Sequence, residues 1–151
     1  MPIDDCPCFN LGLAHRKLLR AFEDALAPLG LTVAQAHALS ALYHQDGLLA
    51  KDLARELSID AGSLTPMLDR LEKQGLLARC PHPEDRRATR LCATERAREL
   101  RPSLEAALSA ASARLAEKFA PEELETLLTL LRRLVEDEPL AALPGAPTSA
   151  S

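Results

Sequence analysis

The segment "LLAKDLARELSIDAGSLTPMLDRLEKQGLLARCPHPEDRRATRLCAT" (residues 48–94) decides the fold. Leu49, Leu53 and Leu57 recur every four residues, which places them on one face of a short helix. "SID" turns the chain, and Asp60 is suited to cap a second helix that runs to about Gln74. Gly75 ends that helix, because glycine takes the left-handed conformation in which helices commonly stop. The pattern then changes. "LLARC" and "ATRLC" are short runs separated by a proline-rich loop, which predicts two strands of a hairpin with a long tip.

Two short helices on a three-residue turn, then a β-hairpin, is the order of a winged helix-turn-helix. Small Ala54 lets the two helices approach, and Leu64, Leu68 and Leu71 anchor the second on the core. Its other side offers Ser63, Thr65, Asp69, Arg70 and Lys73. Hydroxyls near a helix N-terminus with cations further on suit a helix laid in a DNA major groove. Pro66 is out of place in a helix interior, so an irregular first turn or a later start capped by Ser63 or Thr65 is expected. At the hairpin tip, Arg86 and Arg87 are placed to enter a minor groove, whose negative potential attracts arginine. Asp85 is expected to brace the wing by an ion pair with Arg70 or Arg86.

Outside this segment the periodicity is helical. Leu11, Leu18, Phe22 and Leu26 mark a helix over about residues 9–27, broken by Pro28 and Gly30. Thr32 can cap a helix over about 33–45. Leu100, Leu104, Leu108, Leu115 and Phe119 mark a long helix over about 95–118, with a bend expected at Pro102. A last helix opens at Pro121, with Glu122 and Glu123 at its positive end and a stripe of Leu124, Leu127, Leu128, Leu131 and Leu134. The tail "PLAALPGAPTSAS" reads as disordered. The expected class is mainly α with a small β-hairpin wing, a winged helix-turn-helix plus a helical dimerisation region. Its expected parts are an N-terminal arm and dimerisation helices (1–45), the DNA-binding lobe (46–94), C-terminal dimerisation helices (95–137) and the tail (138–151).

Composition agrees. A chain of 151 residues can bury one core. Aromatics are 3% and tryptophan is absent while 47% of residues are apolar, so leucine and alanine carry the interior, which favours helices. The net charge of −4 excludes a protein that coats nucleic acid indiscriminately. Yet Arg79, Arg86, Arg87, Arg90, Arg96 and Arg98 outnumber Glu84, Asp85 and Glu95 over residues 79–98. One basic patch on an acidic body is the footprint of a protein that touches a polyanion with one face. No run reaches membrane-span length and the start "MPIDDCPCFN" is acidic, so a cytoplasmic protein without a membrane partner is expected. Cys6, Cys8, Cys80 and Cys92 would then be largely reduced.

The stretch from Leu57 to Thr94, and "PEDRR" above all, resembles the DNA-binding core of the MarR family of bacterial transcriptional regulators. The likeness extends over about residues 8–137. It implies a homodimer held by the first and last two helices and bound to a double-stranded operator, and no enzymatic activity. Carried over, it makes Ser63, Thr65 and Arg70 recognition-helix contacts and Arg87 the minor-groove arginine; the residue pattern alone adds Lys73 on the helix and Arg86 on the wing. "DAGSLTPMLDRLEKQGL" is similar to the organic-hydroperoxide-sensing branch, which carries a reactive cysteine just before a phenylalanine, here Cys8-Phe9. A helix N-terminus stabilises the thiolate that attacks peroxide. The likeness makes Cys8 the sensor, and neighbouring Cys6 is expected to be its helper or resolving partner. The branch's supporting tyrosines are replaced here by Gly12 and Phe22.

Other chemistries have thinner support. "CPC" with His15 could hold a metal, but paired ligand spacings are missing, so no cofactor or metal is expected. Cys80 and Cys92 read as strand residues, and His15, His37, His44 and His82 are scattered. The sequence therefore predicts a repressor on a pseudo-palindromic operator, released by an oxidant acting at Cys8. The alternatives are a regulator answering a metal or small aromatic ligand, and, in another class, a thiol-dependent peroxidase. The enzyme reading lacks a phosphate loop, metal triad or nucleophile elbow.

Overall fold

A computed structural model describes residues 2–85 and 88–136. The order is α1 (Pro7–Leu26), α2 (Val33–His44), β1 (Leu48–Leu49), α3 (Ala50–Leu57), α4 (Ala61–Lys73), β2 (Leu77–Pro81), β3 (Thr89–Ala93), α5 (Glu95–Ala116) and α6 (Pro121–Glu136). The chain forms one compact unit up to Ala113 and a second from Arg114 onward. The tail expected to be disordered lies outside the described residues.

Helix ends follow local chemistry. At α2, Thr32 Oγ1 accepts from the Gln35 amide while Gln35 Oε1 accepts from the Thr32 amide, so two otherwise unpaired N–H groups are satisfied reciprocally. At the end of α4, Gly75 has φ of 71°, and the Leu76 and Gly75 amides donate back to the Leu71 and Glu72 carbonyls. That is the double bond pattern of a left-handed helix stop. The turn between α3 and α4 uses Ser58 at φ of 52°, a conformation that strains a side chain. Ala54, whose carbonyl accepts from the Ile59 amide, packs partly buried against the core.

Two expectations are corrected. Leu48 and Leu49 do not open the third helix; they form β1, which pairs antiparallel with β3, Leu48 opposite Leu91 and Leu49 opposite Arg90. The wing is therefore a three-stranded sheet in the order β1-β3-β2, because a distant strand offers these two residues the backbone partners a helix would otherwise supply. Pro66, for its part, neither delays nor divides α4. The helix starts at Ala61 under the Asp60 cap, with Pro66 inside it. The residue four back is Gly62, so the carbonyl beside the proline ring belongs to a residue without a side chain.

The core is built of leucine with alanine between, and Met67 beside them. Leu39 and Leu42 of α2, Leu53 of α3, Leu68 and Leu71 of α4, Leu77 of β2, Leu91 of β3 and Leu104 of α5 are fully buried in one cluster. Each contributes roughly 1.5–3 kcal/mol by leaving water. The buried Gln35 amide is satisfied as well: its Nε2 donates to Gln74 Oε1, whose own Nε2 donates to the Gly30 carbonyl. This chain of amides ties the α1–α2 turn to the end of α4.

Candidate functional site

Helix α4 buries Leu64, Met67, Leu68 and Leu71 and exposes Ser63, Thr65, Arg70 and Lys73. The apolar stripe thus turns the four expected contact residues outward together. Asp60 Oδ1 accepts from the Ser63 amide at 2.9 Å, and Oδ2 accepts from the Ser63 hydroxyl at 2.8 Å. These two bonds hold the Asp60 carboxyl below its ordinary value of 3.8. The Thr65 hydroxyl donates to the Ala61 carbonyl. Both hydroxyls have spent their proton within the helix, and each keeps lone pairs to accept with. Arg70 and Lys73 make no ion pair among the described residues.

Arg79 of β2 is placed differently. Its Nη2 reaches Asp69 at 2.8 Å and its Nε reaches Glu72 at 3.2 Å. Asp69 therefore moors the sheet to α4 and neutralises Arg79, and Arg70 and Lys73 remain the uncommitted cations of that helix.

The wing tip is organised by a residue that the sequence reading left unassigned. His82 Nδ1 accepts from the amides of Glu84 and Asp85, both at 3.2 Å, and the His82 amide donates to the Ala88 carbonyl. The Asp85 carbonyl accepts from the Ala88 amide at 3.0 Å. Asp85 is thus built into the turn by its backbone. Arg86 and Arg87 lie outside the described residues.

The other end of the wing is held by Asp46. Its Oδ1 accepts from the amides of Gly47 and Ala93, and its Oδ2 pairs with Arg98 Nη2 at 2.9 Å. The Thr94 hydroxyl donates to the Gly75 carbonyl and accepts from the Ala97 amide, capping α5 while tying it to the start of β2. Sequence pattern did not single out either residue, although Thr94 three residues before a helical position carries an N-cap signal. In the sheet, Cys92 faces Ala78 and Cys80 faces Arg90, so both thiols lie on one face. The Cys92 thiol is pushed up to about 11, by burial first and then by its hydrogen bond to Cys80.

In the N-terminal arm Cys6 is the N-cap residue of α1 and is half-buried, while Cys8 lies exposed in its first turn. The Cys6 carbonyl accepts from the Asn10 amide and side chain, and Asn10 Nδ2 also donates to the Asp4 carbonyl. Among the described residues neither His15 nor His37 hydrogen-bonds Cys8, and no cluster of three metal-ligating side chains occurs. No single helix among them is long and apolar enough to cross a membrane.

Comparison with known proteins places these features in context. Residues 31–89 match the model of the MarR family. The organic hydroperoxide resistance transcriptional regulator of Bacillus subtilis (strain 168) is 35% identical over 95 residues, which are 63% of this chain and 65% of that protein. The chain thus spans just under two thirds of that relative's length. A probable transcriptional regulator from Pseudomonas aeruginosa superposes with a TM-score of 0.82 at 28% identity, covering 87% of this chain and 98% of that one. A cysteine-to-serine mutant of MarR from E. coli, complexed with operator DNA, superposes with a TM-score of 0.77 at 27% identity, covering 83% and 90%.

Proposed function

We propose that this chain, whose residues 31–89 match the MarR family, is a member of that family and a DNA-binding transcriptional regulator that represses from a pseudo-palindromic operator as a homodimer. The observation that carries the reading is the outward face of α4, where Ser63, Thr65, Arg70 and Lys73 stand together and the two cations are unpaired among the described residues. The solved MarR relative bound to operator DNA supports a duplex as the partner. Arg86 and Arg87 complete the contact from the wing, with Asp85 bracing the turn that carries them. The parts are those expected from sequence: dimerisation helices in 1–45 and 95–137, the DNA-binding lobe in 46–94, and a cytoplasmic location.

Dimerisation is supported by apolar surface that each unit leaves uncovered. Leu11 and Leu13 of α1 are exposed, and on α6 so are Leu128, Leu130, Leu134 and Val135, the last at 75%. Such surface costs solvation unless a second copy covers it. Sedimentation of the free protein at micromolar concentration should give a dimer, and a monomer there removes this part of the reading.

The switch we assign to Cys8, with Cys6 as its partner, and the effector is an oxidant. Exposure of Cys8 in the first turn of a long helix and the hydroperoxide-resistance regulator among the relatives support this. A gel shift on the DNA flanking its own gene, with and without cumene hydroperoxide, zinc and salicylate, tests effector and binding together. Steep weakening with salt is expected of an operator binder and not of a peroxidase. If Cys8→Ser leaves the DNA on oxidation as readily as the parent, Cys8 is not the switch.

A further inference from the structure

The wing carries a second thiol pair, remote in sequence from the N-terminal arm. In the β2–β3 register Ala78 pairs with Cys92 and Cys80 with Arg90, so Cys80 and Cys92 are diagonal neighbours on the same face. Both residues are partly rather than fully buried, and Cys80 is among the groups that raise the Cys92 thiol. Arg90 lies on the same face opposite Cys80, with its Nε buried and unpartnered among the described residues. Two thiols set diagonally on one face of a hairpin, beside a cation, form a place where oxidation can end in a bond.

We propose that Cys80 and Cys92 are a reversible dithiol that a hydroperoxide or a low-molecular-weight disulfide closes into an intra-wing disulfide. With a hydroperoxide, the Cys80 thiolate attacks the distal peroxide oxygen and the O–O bond breaks. Cys80 becomes a sulfenic acid, and the alkoxide leaves, taking up the thiol's proton as an alcohol. The Cys92 sulfur then attacks the Cys80 sulfur, its proton leaves with the displaced hydroxide as water, and the S–S bond forms. Two thiols and one peroxide give one disulfide, one alcohol and one water. Cys92 is the resolving partner, because the surroundings that hold it protonated make it the poorer first nucleophile.

The bond has a mechanical consequence. Diagonal residues in an antiparallel pair stand about 7–8 Å apart, whereas a disulfide draws its Cα atoms to roughly 4.4–6.8 Å. Closure must twist the hairpin, and the tip loop begins directly after Pro81, the last residue of β2. Strain of that kind also makes the bond easier to reduce. The oxidised wing presents its tip at another angle, which goes beyond the Cys8 switch and does not depend on it.

The test uses the full chain with Cys6→Ser and Cys8→Ser in place, treated with chelator and then with cumene hydroperoxide or oxidised glutathione. Peptide mapping should recover one cross-linked species joining the Cys80 and Cys92 peptides. Alkylation should find both thiols lost, and a mild dithiol reductant should restore them. Cys92→Ser should stop the reaction at a Cys80 sulfenic acid trapped by dimedone. Independent oxidation of the two cysteines, or cross-links between chains only, overturns the proposal. So does survival of both thiols under conditions that oxidise free cysteine. Because the readout is the covalent bond, a failed operator assay leaves it unaffected.

Discussion

The Asp46 carboxylate accepts a hydrogen bond from the Ala93 amide at 2.9 Å, joining the turn after α2 to the end of β3. The same side chain holds the Gly47 amide and pairs with Arg98 at the start of α5. Asp46→Ala therefore leaves the Gly47 and Ala93 amides and the Arg98 guanidinium without this partner. Loss of about 1.5–3 kcal/mol in urea unfolding is expected, the range for hydrogen bonds to a charged group. A change within error would mean that water replaces the carboxylate at no cost.

Asp60→Ala removes the α4 cap. The sign of its pH dependence follows from the lowered carboxyl: the contribution is present above the unfolded value of 3.8 and is lost as pH falls through the folded value below it. Wild type should have the higher urea midpoint at neutral pH, and the two curves should converge in strong acid. A gap that persists there would place the effect in packing rather than in the charge.

Ser58 occupies a left-handed position at the tight turn between α3 and α4. Ser58→Gly relieves a strain of roughly 1–2 kcal/mol and gives back part of it through the looser unfolded chain. A net gain of about 0.5–1 kcal/mol is the expected result by denaturation. Destabilisation would show that the serine side chain makes a compensating contact.

On the surface proposed to face DNA, Arg70→Ala should weaken operator binding by about 1–3 kcal/mol, with Lys73→Ala lowering the salt slope by about one unit. Asp85→Ala should also weaken binding although it removes a negative charge, because the carboxylate's proposed ion pair to an arginine is lost while the turn's backbone bonds remain. Arg79→Ala separates the two kinds of cation: with Arg79 already neutralised by Asp69 and Glu72, its loss should alter the salt slope least. Titration of each variant on one duplex at several salt concentrations reads all four.

The start of α2 and both ends of α4 were legible because one residue at each carries the signal. Thr32, Asp60 and Gly75 each act where the pattern of neighbours places them. The outward set on α4 was legible for the same reason, since Leu64, Leu68 and Leu71 fix its rotation. What escaped depended on partners far along the chain. Leu48 and Leu49 continue a leucine spacing that fits a helix, and only β3 makes them a strand. Asp46 looks like a turn aspartate until Ala93 and Arg98 are beside it. Cys80 and Cys92 become a pair only once the register is known, because a shift of one residue would send them to opposite faces.

The three-stranded wing also has a history written into its connectivity. β2 and β3 are neighbours in sequence, separated only by residues 82–88, and pair on the fast scale of hairpins, whereas β1 must bring residue 48 to residue 91 across α3 and α4. The hairpin therefore assembles early and the β1 edge docks late, after the entropy of that larger loop has been met. Damage at the late edge acts on escape from the native state more than on arrival. In a chevron plot, Asp46→Ala should raise the unfolding limb and leave the refolding limb nearly in place.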